Sequence, residues 1–171
     1  MTHHDPPATV AYEEEPAPTP SPLPVMGYWG VVIAWMAVIS LLSTEPFSAA
    51  NTNHYIDPVL RFFFPHLRQA DFVLAHTIIR KTAHVTEFFI LGSLLYWAFR
   101  RGRWPRWRAA WMLQALAAAV LYSLLDEFHQ AFVPNRTPSL LDSGIDSLGA
   151  ALSQAFVYLR HVTLARFGLL R

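Results

Sequence analysis

The sequence predicts an all-α polytopic membrane protein, a bundle of four transmembrane helices with an interfacial segment between helices one and two. Three observations carry this expectation. Hydrophobic residues make up 53% of the 171-residue chain and charged residues only 15%, where a soluble domain has about a quarter. The apolar residues are gathered into four runs, 25–43, 83–99, 109–125 and 143–159. Most ionisable residues gather at the ends of those runs.

Residues 1–24 hold seven prolines, the acidic run Glu13, Glu14 and Glu15, and few large apolar side chains. Such a segment cannot bury enough surface to offset its ordering entropy, so it reads as a disordered tail. It has no positive n-region of the kind a secretory signal needs. Residues 25–43 carry no charge and are long enough to cross a hydrocarbon core of about 30 Å. Tyr28 and Trp29 stand near the start of this first span, as interfacial aromatics do. Glu45-Pro46 ends it.

Residues 44–80 are too polar to span. Residues 51–53 look like a loop, and 58–64 (PVLRFFF) look like a helix turn lying in the interface. From Gln69 the pattern is helical, with His76, Arg80 and His84 recurring every four residues. The second span covers 83–99. The stretch 100–108 then packs five arginines into nine residues. The third and fourth spans, 109–125 and 143–159, are near the short limit for crossing. The domain expected is therefore 25–160, followed by a C-terminal tail over 161–171.

The dense arginine loop is expected on the cytoplasmic side. Four spans then put both termini inside, so that 1–24 and 161–171 are cytoplasmic tails of a multi-pass cell-membrane protein. Arg160, Arg166 and Arg171 agree with this orientation; Arg61, Arg68, Arg80, Lys81 and Arg136 fall on the other side. In this arrangement the polar clusters meet at the non-cytoplasmic face. The net charge of +1 identifies no partner, and the basic residues form one short loop, unlike a nucleic-acid footprint. The chain has no cysteine, which excludes disulfides and thiolate metal sites.

Two clusters form the candidate polar site. Lys81, His84 and Glu87 are spaced so that a helix puts them on one face. Glu87 lies inside an apolar run, where an acid is costly unless paired, protonated or facing water; Lys81 can equally be a snorkelling interfacial cation. Asp126 and Glu127 end the third run, with Gln130 one turn beyond Asp126. Carboxylates at a helix C-terminus oppose the macrodipole and call for a compensating partner, unless the helix end is simply solvated. Arg136 is the sole basic side chain other than His129 between runs three and four, suited to hold a phosphate or to bridge to Glu87 or Asp126. Ser139 and Asp142 have the spacing of a capping box. Asp146 lies a turn deeper, where a cap cannot account for it, beside Gly149 and Ala150, which allow close helix packing.

Taken together, Lys81-x-x-His84-x-x-Glu87-Phe88, then Asp126-Glu127-x-His129-Gln130-x-Phe132-Val133-Pro134-x-Arg136, then Leu140-Leu141-Asp142-x-x-x-Asp146-x-Leu148-Gly149-Ala150 resemble the VanZ-like membrane protein family. The resemblance covers roughly 25–160. Phe88 stands where that family often has Tyr, and Asp146 where Asn is common. The resemblance implies a four-helix membrane protein, and a named member is linked to low-level resistance to the glycopeptide teicoplanin.

The expected function is binding or remodelling of an anionic cell-envelope molecule, such as a lipid-linked cell-wall precursor, at the outer membrane face. Basic groups would hold phosphate and carboxylates would orient them. The alternative is a membrane-embedded hydrolase or transferase acting on a lipid phosphate, with His84, Glu87, Asp126, His129, Asp142 and Asp146 supplying donors for a divalent metal. No cofactor is identified from the residues. A third alternative is that the polar groups only lock the helices together, at about 0.6 kcal/mol per interhelical hydrogen bond.

Overall fold

A computed structural model describes residues 25–47, 49–66, 68–101, 107–134 and 136–169. The tail expected over 1–24, the centre of the arginine loop (102–106) and the last two residues of the C-terminal tail lie outside the described residues. Every regular element of the described residues is a helix: α1 Val25–Leu42, α2 Ala49–Phe63, α3 Gln69–Arg100, α4 Ala109–Gln130 and α5 Leu140–Arg166, with a 3-10 turn Glu45–Phe47 after α1. Two of these helices, α1 and α4, are long and apolar enough to cross a membrane by length and composition.

The apolar runs are parts of longer helices. α3 spans 32 residues and takes in the run 83–99 along with the polar stretch before it. At 1.5 Å per residue it is roughly 48 Å long. Its first turn carries Asp71, whose carboxylate accepts the Arg68 N–H at 3.0 Å, an acid where the helix dipole favours one. Its last turn closes on Arg101 in the left-handed region (φ 52°), with the Arg101 N–H reaching the Ala98 and Trp97 carbonyls. α5 continues past the expected boundary at 160 to Arg166.

Residues 51–53, expected to form a loop, lie inside α2, and 58–64 form the end of that helix and the residue beyond it. Local composition misleads here because α2 is held by contacts from outside. Asn51 donates to the Glu45 carbonyl at 2.9 Å. Asp57 meets His76 of α3 at 2.6 Å, and the Arg61 guanidinium lies 4.5 Å over the Phe72 ring. These bracket Pro58, which lacks the N–H an interior position would use.

Specific contacts set the helix directions. Lys81 pairs with Asp142, and His84 with Asp146, so α3 and α5 run parallel. Ser40 meets Tyr122 and Ser43 meets Asp126, so α1 and α4 run parallel too. Tyr28 stacks edge-on against Trp97 at 4.4 Å, and the Trp35 indole donates to the Glu87 carbonyl at 3.0 Å, which makes α1 antiparallel to α3. One end of the bundle therefore collects the ends of α1 and α4 and the inner part of α3 with the start of α5. The other end collects Arg100, Arg101, Arg108 and Arg160.

α3 and α5 approach most closely where glycine permits it. A Cβ on Gly92 would collide with the Ser153 hydroxyl and come within 3.2 Å of the Ala150 Cα. A Cβ on Gly149 would collide with the Val85 carbonyl oxygen and come within 3.0 Å of the Val85 Cα. The buried stripe of α5 is Ser143, Asp146, Gly149, Ala150, Ser153 and Gln154, small or polar at every position. Large apolar side chains such as Leu141, Leu148, Leu152, Phe156 and Leu159 are instead on the outside.

Candidate functional site

The polar groups converge at one end of the bundle, supported from beneath by buried Phe88 and Leu91 of α3 and Ala119 of α4. Two hydrogen-bonded clusters lie side by side there, with Glu87 and a cleft between them.

The first cluster joins α3, α4 and α5. Asp146 has no exposed surface. One of its oxygens meets His84 Nδ1 at 3.0 Å; the other accepts from the Ser123 hydroxyl at 3.2 Å. Ser123 also meets the Ser143 hydroxyl at 2.7 Å. Above it, Lys81 Nζ lies 3.5 Å from an Asp142 oxygen. The acid stands between the imidazole and the hydroxyl. His84 therefore does not face Ser123 as the base of a nucleophilic triad would.

The second cluster closes the α1–α4 side. Asp126 Oδ2 accepts from Ser43 at 2.6 Å and from Gln130 Nε2 at 3.0 Å. Glu127 Oε2 accepts the Ser139 N–H at 2.6 Å, while the Ser139 hydroxyl accepts the Asp142 N–H at 3.4 Å. The capping box is thus divided: Ser139 caps α5 as its spacing implies, but the acid that satisfies the Ser139 N–H comes from α4, leaving the Asp142 carboxylate to Lys81. Asp126 Oδ1 and Glu127 Oε1 are buried without a hydrogen-bond partner among the described residues.

Arg136 corrects one expectation. It does not bridge to Glu87 or Asp126. Its Nη2 donates to the carbonyls of Leu42 at 2.7 Å, Phe47 at 2.9 Å and Thr44 at 3.2 Å. These are carbonyls at and just beyond the C-terminus of α1, the place where a helix leaves acceptors unsatisfied and its dipole favours a cation. Burial, and next the nearby Arg80, hold the Arg136 guanidinium below its ordinary pKa.

Arg136 and Arg80 line one cavity of about 170 Å³, with His84 and Glu87 also in its wall. A second cleft, of about 340 Å³, shares Arg80 and His84 and extends along Lys81, His76 and Asp57. His76, Lys81 and His84 each face a carboxylate. Neither Arg80 nor Arg136 forms an ion pair with a described carboxylate. The Glu87 side chain, half-buried in the same cavity, has no hydrogen-bond or ion-pair partner among the described residues.

All nine residues singled out in the sequence, Lys81, His84, Glu87, Asp126, Glu127, Gln130, Arg136, Asp142 and Asp146, lie at this end. His129 does not join them: its side chain is exposed and takes no part in either hydrogen-bonded cluster. Sequence reasoning missed Ser43, Ser123 and Ser143. Ser123 and Ser143 each stand three residues before a buried acid, Asp126 and Asp146, a helical spacing that places hydroxyl and carboxylate on one face. No local signal marks Ser43, whose partner is 83 residues away. Among the described residues no group of three or more His, Asp or Glu side chains is arranged to hold a metal ion.

No curated protein and no solved structure matches the chain. Residues 28–161, which run from the buried Tyr28 of α1 through the polar end to the last turns of α5, match the family model for VanZ/LLP1. That match takes in every residue of the polar site, and the chain belongs to the VanZ/LLP1 family.

Proposed function

We propose that this VanZ/LLP1-family protein crosses the cell membrane four times and uses its polar end, on the non-cytoplasmic side, to bind an anionic envelope molecule through a phosphate group. The observation that carries the reading is the pair Arg80 and Arg136. They share one cavity with no carboxylate paired to either, while the other cations beside them are matched to acids. Two guanidiniums facing a common space suit a phosphate, which accepts several charge-assisted hydrogen bonds. Glu87, unpartnered in the same wall, would accept from a hydroxyl or amide of the ligand.

The membrane reading is supported by how much apolar surface the fold leaves uncovered. Only 17% of the apolar window in α1 and 28% of that in α4 is buried, whereas an apolar core helix of a soluble protein is mostly covered. Val31, Ile33, Leu41, Leu113, Leu121, Leu125, Leu148 and Leu152 are exposed, while the buried interior combines an apolar core with hydroxyls, amides and acids. Such an outer surface needs an apolar surrounding. α5 carries the same outward apolar side chains around a small and polar inner stripe, and α3 packs closely along it, which supports counting both as spans. α2 exposes Val59, Phe62 and Phe63 and suits an interfacial position. The arginine-rich opposite end supports a cytoplasmic placement for both termini.

A link to glycopeptide sensitivity would follow if the ligand is a lipid-linked cell-wall precursor. The test is binding of a polyprenyl-diphosphate precursor by the purified protein against a zwitterionic lipid, together with teicoplanin sensitivity of a deletion strain. Arg80→Ala should weaken binding by about tenfold or more, the loss of one charge-assisted contact. Equal affinity for the zwitterionic lipid, with unchanged sensitivity on deletion, would remove the reading.

A further inference from the structure

The opposite end of the bundle holds a cavity of about 390 Å³ between the last turns of α3 and α5. It has no part in the proposed function. Its walls are graded. Leu94, Phe156 and Val157 form the part nearest the middle of the bundle, with Ser93, whose hydroxyl is taken up by the Phe89 carbonyl. Tyr96, Trp97 and Trp107 form an aromatic middle. Arg100, Arg160 and His161 stand at the outer end. None of its described lining residues is acidic. Trp107 is fixed by stacking on His161 (centroids 6.0 Å, 21°) and by packing on Tyr158 at 5.3 Å. Its indole N–H is buried without an acceptor among the described residues.

We infer that this cavity is a binding site for one anionic phospholipid of the cytoplasmic leaflet. Arg100, Arg160 and His161 would hold the headgroup phosphate, and the apolar wall would take the upper acyl chain. The grading matches the molecule in order and in depth: charge outermost, amphipathic rings at the level of the glycerol, apolar surface beneath. The volume falls within the range of small-ligand pockets, about 300–1,000 Å³. The gradient also chooses between sources of phosphate. A soluble phosphate would use the cationic rim and leave the aromatic and aliphatic walls uncovered. The inference rests on the membrane orientation proposed above but not on the site at the other end, from which Arg100 and Arg160 are separated by the length of the bundle.

The test uses the full chain purified in a neutral detergent, titrated with phosphatidylglycerol, phosphatidylcholine or inorganic phosphate and followed by native mass spectrometry and thermal unfolding. One phosphatidylglycerol should be retained at detergent concentrations that strip phosphatidylcholine, and it should raise the unfolding temperature. Arg160→Gln should weaken retention by about tenfold or more, with unfolding in phosphatidylcholine unchanged. Arg68→Gln, an exposed cation at the far end that lines neither site, should leave it intact. Equal retention of the two lipids by the wild-type protein overturns the inference without recourse to any variant. Stabilisation by inorganic phosphate equal to that by phosphatidylglycerol also overturns it, as does undiminished retention by a folded Arg160→Gln protein.

Discussion

Gly149→Ala puts one methyl group where α3 and α5 have no room for it. The new Cβ would stand 3.0 Å from the Val85 Cα and closer still to the Val85 carbonyl oxygen. Both are backbone atoms, so no side-chain rotation relieves the contact and the helices themselves must separate. A gap of about 0.5–1 Å forfeits roughly a quarter to a half of each dispersion contact it opens. The flanking contacts are dense: Phe88, Leu91, Ala150 and Ser153 are all fully buried. The His84–Asp146 hydrogen bond, 3.0 Å long and about one turn away, would stretch with them. Overpacking of this kind costs about 1–3 kcal/mol, against a gain of about 0.8–1.0 kcal/mol from replacing a helical glycine by alanine. Gly144, five residues earlier on α5, is the internal control, because nothing lies within 4 Å of its Cβ position. Gly144→Ala should be neutral or stabilising and Gly149→Ala destabilising, as read by thermal unfolding in detergent. If the two unfold at the same temperature, the close approach of α3 and α5 is not what glycine provides, and the packing argument fails.

Three further outcomes follow from the same geometry. His84→Ala should destabilise strongly, because Asp146 would remain buried with Ser123 as its one side-chain partner; orphaning a buried charge costs about 3–5 kcal/mol. His84→Ala and Asp146→Ala together should cost less than the sum of the two, by about 0.5–3 kcal/mol, and additivity in denaturant titration would deny the pair. Arg136→Ala should destabilise through the three carbonyls it releases at the end of α1, at about 1–3 kcal/mol for a lost charged donor, and limited proteolysis should then cut near residues 42–47 faster than in wild type; a protein equally resistant there would argue against this capping. In intact cells, Thr137→Cys should react with an impermeant thiol reagent and Arg166→Cys should not; the reverse pattern inverts the topology.

The sequence by itself determined the chemistry of the two surfaces. The apolar runs, the arginine stretch 100–108 and the acids flanking 109–125 are linear features, and hydrophobic clustering and helical spacing read them without knowledge of neighbours. Lys81, His84 and Glu87 share a face because a helix has one period. The same reasoning placed all nine site residues at one end, since short connections force successive helices to alternate direction. The structure alone decided who meets whom. Arg136 was expected beside Glu87 or Asp126 because opposite charges attract, yet it lies on the carbonyls ending α1, an acceptor group every helix has and no sequence pattern advertises. Glu127 satisfies Ser139 in place of the local Asp142, which is drawn to Lys81 on another helix. Residues 51–53 are helical because Glu45, His76 and Phe72 hold α2 from outside, against its own polar composition. In each case the deciding partner is distant in sequence or belongs to the backbone. Periodicity fixes which way a side chain faces; only packing fixes what it finds there.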